Sequence, residues 1–502
     1  MVKMDKSDII NTSSGKIQGY EENGVVIFKG IPYAEPPLEE LRFSPPVAKI
    51  QWDDVLDATE YGHCSYQGYT QLEDTLGKLQ PESEDCLNLN IWTPKIDNKK
   101  RPVMFWIHGG AFLMGGGIDT MYDGSVLARR GEVVVVTINY RLGALGYLYL
   151  PGVTSNVGHL DQILALKWVH DNIEQFGGDS NNITIFGESA GGYSVVALAA
   201  MPVAKGLFNR IIAQSAPQIG SEVTKKPSKK LLRMLGVEKG DLNALRKISP
   251  QKIIEAQNQL LAEDPGNLLA FRPLIDGETL PIHPLKAFQN GDCKNIEFMI
   301  GTNMDEAKLF TALNPLIANL NTAELEKALN FTLSGYGLNP SQAKTMLDTY
   351  KQAREGKFST ELKEIMNAIM TDYIFRVSTI RLLEAQSKHQ SNTYNYLFTW
   401  PSPAYNGDLG ACHALEIPFI FNTLNNAAFK EFIGNSQGLD TISHNIMDAW
   451  IAFAHTGNPN HDGIPKWPSY DIEKRSTMLM DHEFQVAEKF LDKERAAWDD
   501  VM

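Results

Sequence analysis

Ile183-Thr184-Ile185-Phe186-Gly187-Glu188-Ser189-Ala190-Gly191-Gly192-Tyr193-Ser194 decides the fold of this 502-residue chain. Ile183 to Phe186 are apolar or β-branched and predict a short buried strand, while the small residues that follow, with Ala197, Ala199 and Ala200, predict a helix. Between the two lies G-x-S-x-G, the pattern of a serine held on a sharp strand-to-helix turn. Such a turn holds the serine in a sparsely populated backbone conformation. It leaves no room for a Cβ at the flanking glycines, so the Ser189 hydroxyl is pushed into the open. The helix opening at Ala190 aims unsatisfied N–H groups and the positive end of its dipole at the same place. That combination favours attack on a carbonyl carbon.

Working outward, Val103-Met104-Phe105-Trp106-Ile107 is a continuous apolar run and predicts a central strand covered on both faces. It ends in His108-Gly109-Gly110-Ala111-Phe112. A glycine-rich turn directly after a core strand presents bare backbone N–H groups, and beside a serine elbow such a turn supplies part of an oxyanion hole. His108 stands so close to this turn that it is expected to shape it rather than to titrate. Val133 to Ile138 predicts the next buried strand. Leu160 to Phe176 predicts a helix with Leu166, Val169, Ile173 and Phe176 apolar and Gly177-Gly178 as its stop, and Arg210 to Gln214 a further strand. This alternation predicts an α/β fold with a mostly parallel sheet and helices on both faces. Chemistry in such sheets sits beyond the carboxyl ends of the strands, where His108, Ser189 and Ser215 fall.

Residues 15 to 50 read as antiparallel strands broken at Gly30 and Pro32, and Ser83 to Trp92 as another strand. The stretch 220 to 290 is helical and polar, with Lys225, Lys226, Lys229 and Lys230 expected on a solvated face. Ile296 to Ile300 predicts a strand running into Asp305-Glu306, residues 307 to 390 are mostly helical, and Thr393 to Phe398 is a late strand leading to His413. The two helical stretches are expected to wall and roof a pocket within one catalytic domain spanning 1–502.

The chain carries 46 basic and 60 acidic side chains, a formal charge of −14. That disfavours nucleic acid as a partner and mildly disfavours anionic substrates. No segment repeats with a period that would predict a solenoid. The first 25 residues lack the apolar core of a signal peptide, and no apolar run reaches the roughly 18 residues that cross a bilayer, so a cytoplasmic protein without a membrane span is expected. With no C-x-x-C and no paired histidine spacing, neither a metal nor a cofactor is expected. Cys293 and Cys412 read as small buried hydrophobes. Cys64 and Cys86 could close a short loop as a disulfide worth about 3 kcal/mol, whereas a reducing compartment would keep them as thiols.

A serine hydroxyl needs a base to take its proton and a third group to orient that base. Among eleven histidines, His413 follows a late strand, where the chain order nucleophile, acid, base puts the base. Asp305-Glu306 is the candidate acid pair. Neighbours in an extended segment point to opposite sides, so only one of the two reaches the imidazole, and spacing alone does not say which.

The chain resembles the type-B carboxylesterases, the cholinesterase-like branch of the α/β-hydrolases. Matching stretches run from end to end: Phe28 to Ala34, Arg42-Phe43, Ser83 to Leu87, Trp106 to Phe112, Asn139 to Arg141, Leu160 to Gln162, Gly187 to Gly192, Gln214-Ser215, Gly301 to Glu306, Gly410 to Glu416 and Trp450 to Asn458. The resemblance implies the α/β-hydrolase fold, with Ser189 as nucleophile, Glu306 as acid and His413 as base. It implies Gly110, Ala111 and Ala190 as N–H donors to the oxyanion, and Glu188 and Ser215 close behind the triad. It also implies the ion pairs Arg42–Glu84 and Arg141–Asp161, and a bridge that relatives often form at the positions of Cys64 and Cys86. Two departures stand out. Ala307 replaces the glycine that usually follows the acid, and Ser65 to Asp85 contains no Trp, where cholinesterases carry the aromatic that holds a quaternary ammonium. The expected activity is hydrolysis of small to medium neutral esters through an acyl-enzyme, by a monomer or weak oligomer. Lipase or amide and carbamate hydrolysis comes second, and a non-catalytic binding or adhesion role third. An ordinary imidazole would place the rise in rate near pH 6 to 7.

Overall fold

The computed structural model describes residues 5–68, 79, 81–219, 225–238, 240–263, 269–312, 317, 320–434 and 436–501. The chain begins with the antiparallel strands β1 (Asp5–Thr12), β2 (Gly15–Glu22) and β3 (Val25–Pro32). β4 (Val55–Asp57) pairs with β2, and β5 (Cys64–Ser65) and β6 (Glu82–Ser83) form a small sheet of their own. Then come β7 (Asn88–Thr93), β8 (Arg101–Ile107), β9 (Val134–Ile138), β10 (Gly178–Glu188) and β11 (Arg210–Gln214). β12 (Glu297–Asn303), β13 (Thr393–Phe398), β14 (Thr477–Met480) and β15 (Gln485–Ala487) complete the set. Among the described residues the main sheet runs β1-β2-β3-β7-β9-β8-β10-β11-β12-β13-β14-β15. Every pair from β9 across to β14 is parallel. The order reverses at β8, which has β9 on one side and β10 on the other, so a crevice opens beyond the carboxyl ends of these strands.

The side-chain alternation of β8 splits the core in two. Val103, Phe105 and Ile107 enter one apolar cluster, with Leu166 and Val169 of the helix Val157–Asn172 and Val195 and Leu198 of Ala190–Ala200. Met104 and Trp106 enter the other, with Phe419 of Ile417–Phe421 and Ile446, Trp450 and Phe453 of Leu439–Thr456. A third cluster lies away from the sheet. Leu329 and Leu333 (Thr322–Gly335), Met346 and Tyr350 (Pro340–Arg354) and Ile365 and Ile369 (Leu362–Thr371) pack there with Trp498. The first two of these helices start on capping boxes, Asn321 with Glu324 and Asn339 with Gln342, which satisfy N–H groups that have no partner within the helix.

Several expectations change in detail. The elbow strand is eleven residues long, because its first half, polar and poorly legible, joins β8 through an irregular register between Gly178 and Ile183. Lys226 and Lys229 are exposed, whereas Lys225 is half-buried: its ammonium lies 4.1 Å from the centroid of the Tyr149 ring and donates to that hydroxyl at 2.8 Å. Cys64 and Cys86 are buried but not joined. The Cys64 thiol points at the Pro81 carbonyl, 3.5 Å from Sγ, and burial pushes the Cys86 thiol pKa up, which keeps it protonated. Much of the tryptophan-free stretch Ser65 to Asp85 lies outside the described residues. Arg42 meets Glu84 through two bonds of 2.5 and 2.6 Å, and Arg141 meets Asp161 through two of 2.8 and 2.7 Å. No helix among the described residues is long and apolar enough to cross a membrane.

Candidate active site

The elbow is pinned between its neighbours. Gly187 pairs with Ile107 of β8, and Glu188 with Gln214 of β11. Ser189 then turns to φ 56° and ψ −119° while its N–H donates to the Gln214 carbonyl at 2.9 Å, and its own carbonyl accepts from Tyr193 N–H at 2.8 Å. The glycines follow from this crowding. A Cβ at Gly187 would stand 2.6 Å from the Ile107 carbonyl oxygen, one at Gly191 1.9 Å from the same atom, and one at Gly192 2.3 Å from the Gln214 oxygen. Ser189 itself is half-buried between buried Glu188 and Ala190.

The glycine turn after β8 closes on the elbow: a Cβ on Gly109 would lie 2.7 Å from the Glu188 carbonyl oxygen and 3.1 Å from Ser189 Cβ. Gly110, Ala111 and Phe112 all take positive φ, at 100°, 55° and 62°. Successive residues in that region turn backbone N–H groups into a concavity suited to an anion. His108 is buried, stacks on Tyr140 with centroids 4.5 Å apart and has Nδ1 2.9 Å from the Gly109 carbonyl oxygen. Burial brings its pKa down to about 4. It is therefore neutral at pH 7 and holds the turn, as its position in the sequence suggests.

Geometry separates the two acids. Glu306, fully buried, places Oε2 2.6 Å from His413 Nδ1, while Oε1 accepts from Ser215 Oγ at 2.5 Å and Asn303 N at 2.8 Å. A carboxylate this deep needs all three partners. Asp305 turns the other way and accepts from Ala411 N at 3.0 Å. His413 Nε2 stands 3.1 Å from Glu188 Oε1, and the rings of Phe310 and Phe375 pack on the imidazole at 5.3 and 4.7 Å. The Ser189 hydroxyl makes no hydrogen bond among the described residues, so it is not engaged with His413 in this arrangement. Such contacts commonly tighten only when substrate is present. Burial works against a charged His413, but Glu188, Glu306 and Glu416 together outweigh it and raise its pKa above the ordinary imidazole value. Burial likewise raises Glu188, against the pull of His413. The expected rise in rate near pH 6 to 7 therefore moves upward.

Sequence reasoning missed Asn303, whose Nδ2 donates to the Cys412 carbonyl and to Glu416, and Gln214, whose Nε2 donates to Glu416 at 3.1 Å. Both sit at strand ends inside motifs that were noticed, but an amide carries no sign of which distant carboxylate it will meet.

The carboxylesterase family profile matches residues 6–498. The chain belongs to the carboxylesterase family. This carboxylesterase is 40% identical to the para-nitrobenzyl esterase of Bacillus subtilis over 95% of its own length and 96% of that protein. It is 32% identical to liver carboxylesterase 1 of Oryctolagus cuniculus, over 98% and 93%. A solved thermophilic PNB esterase superposes with a TM-score of 0.85 at 37% identity, covering 98% of this chain and 99% of that one. The Geobacillus stearothermophilus carboxylesterase EST55 gives 0.85 at 36%, covering 98% and 100%. The fold is thus the α/β-hydrolase fold and the chemistry is hydrolysis of carboxylic esters. Ala307 is accommodated without left-handed backbone, buried and donating its N–H to Thr371 Oγ1 at 3.1 Å.

Proposed function

We propose that this carboxylesterase cleaves small to medium neutral esters with Ser189 as nucleophile, His413 as base and Glu306 as the acid that orients it. His413 Nε2 takes the Ser189 proton as Oγ attacks the carbonyl carbon. Its Nδ1–H donates to Glu306 throughout, which keeps the tautomer correct and stabilises the imidazolium. The oxyanion is met by the N–H groups of Gly110, Ala111 and Ala190, each worth about 2.7 to 4 kcal/mol of barrier by analogy with other acyl-transfer enzymes. The alcohol leaves with the proton from His413, and water then repeats the sequence on the acyl-enzyme. Glu188 and Ser215 act from behind, one on Nε2 and one on the acid.

The observation that carries this reading is the 2.6 Å contact between Glu306 and His413, 107 residues apart in sequence, at the carboxyl ends of the same sheet as the half-buried elbow serine. Ser189→Ala should lower turnover of a short p-nitrophenyl ester by about 10⁵- to 10⁶-fold with an unchanged melting temperature; near-normal turnover would remove Ser189 from the role. Rates across acyl chains of two to sixteen carbons, with a matched anilide, separate a short-chain esterase from a lipase or an amidase. The reading extends to a cytoplasmic monomer or weak oligomer. Cell fractionation with light scattering tests both points.

A further inference from the structure

Asp305, the acid that does not meet His413, belongs to a polar seam of its own. Its N–H donates to the Ala411 carbonyl at 2.9 Å and its Oδ2 accepts from Ala411 N at 3.0 Å, so it clasps the turn two residues before His413. Lys308, only 9% exposed, places Nζ 3.6 Å from Asp305 and 3.0 Å from Glu364 on the helix Leu362–Thr371. Gly410 closes over this pair at φ +52°: a Cβ there would fall 2.4 Å from Asp305 Oδ2 and 3.1 Å from Lys308 Nζ. The same helix reaches the acid loop twice more. Asn367 Oδ1 accepts from Thr311 Oγ1 at 2.7 Å, and Thr371 Oγ1 from Ala307 N at 3.1 Å. Residues 364, 367 and 371 share one helix face. That helix runs on into the π-turn Asp372–Arg376, whose Phe375 lies against His413.

We propose that Lys308 is a positioning residue: held between Asp305 and Glu364, it locks the acid loop, the base loop and the helix Leu362–Thr371 into the register that aligns Glu306 with His413. The proposal rests on the reading of those two residues as acid and base. The acid and base loops already meet through the Glu306–His413 side-chain contact, His413 N–H on the Glu306 carbonyl at 3.3 Å and Asn303 Nδ2 on the Cys412 carbonyl at 2.7 Å. The seam adds the tie to the helix Leu362–Thr371 that those bonds do not reach. A buried ammonium is retained here because two carboxylates from different segments need one counter-charge, and removing it leaves both unpaired.

The test uses Lys308→Met and Glu364→Gln in the full chain. Sites are counted by covalent titration with a fluorophosphonate, and kcat and KM for p-nitrophenyl acetate are measured against pH. For Lys308→Met, kcat per titrated site should fall by about 10- to 100-fold, the scale of a small misplacement, with KM within about twofold. The midpoint of the rise with pH should move up. His413 already faces Glu306, Glu188 and Glu416, and the lost cation no longer offsets Asp305 and Glu364. Glu364→Gln, which keeps the Lys308–Asp305 pair, should shift kcat in the same sense by less. Per-site kcat and pH midpoint equal to the parent's in both variants would overturn the proposal, even with a lowered melting temperature. Should Lys308→Met fail to fold, an unchanged per-site kcat in Glu364→Gln overturns it alone. A parent enzyme that the fluorophosphonate does not label would instead sink the triad reading.

Discussion

His413 meets a carboxylate on each ring nitrogen, Glu306 on Nδ1 and Glu188 on Nε2, and this arrangement governs its protonation. Only the neutral imidazole can take a proton from Ser189. Because the surrounding carboxylates raise its pKa despite burial, kcat/KM for a neutral ester should rise through a midpoint above the ordinary value of about 6.5. Glu188→Gln removes a negative charge facing Nε2, favours the neutral ring and should move that midpoint down, read from kcat/KM between pH 5 and 10. An unmoved midpoint would mean that Glu188 does not set the base. Linkage gives the matching sign for stability. The raised His413 contributes stability that is full below its unfolded value and is lost as pH rises through the folded one.

The strand β10 and the helix Ala190–Ala200 make the site by contact with their neighbours rather than by their own preferences. The glycine at 191 is the tightest of these contacts, with no space for a methyl beside the Ile107 carbonyl. Gly191→Ala must push the helix off β8, and should cost about 3 kcal/mol or more, measured by urea unfolding. A loss below 1 kcal/mol would show that the elbow relaxes. These glycines were legible in sequence because a fixed local turn imposes them. The acid was legible only through the family resemblance: Asp305 and Glu306 are chemically near-equivalent neighbours, spacing does not separate them, and in the turn after β12 it is Glu306 that faces His413, with Ser215 and Asn303 beside it. The partner of Lys225 was not legible for a related reason, since a lysine in a polar stretch gives no hint that an aromatic ring 76 positions away will meet it.

Across the whole molecule, the third apolar cluster has its own anchor in Trp498, whose Nε1 donates to Tyr350 at 2.7 Å. Small clusters beside a large core open at lower free energy than the core itself. Trp498→Ala removes a large buried side chain, at a cost of about 3 to 5 kcal/mol. Hydrogen exchange should accelerate in the helices Thr322–Gly335, Pro340–Arg354 and Leu362–Thr371 while β8 and β10 keep the parent rates. Equal acceleration everywhere would mean that the clusters unfold as one. The amino-acid sequence by itself determined the alternating strands and helices, the serine elbow, the glycine turn after β8 and the family. Each is written in a contiguous stretch whose periodicity or backbone demand is local. Tertiary structure alone decided that Ser215 and Asn303 flank the acid, that Asp305 turns to Ala411 instead, and how Lys308 ties three separate segments together. Those outcomes depend on distances between residues far apart in the chain, and only packing in three dimensions sets such distances.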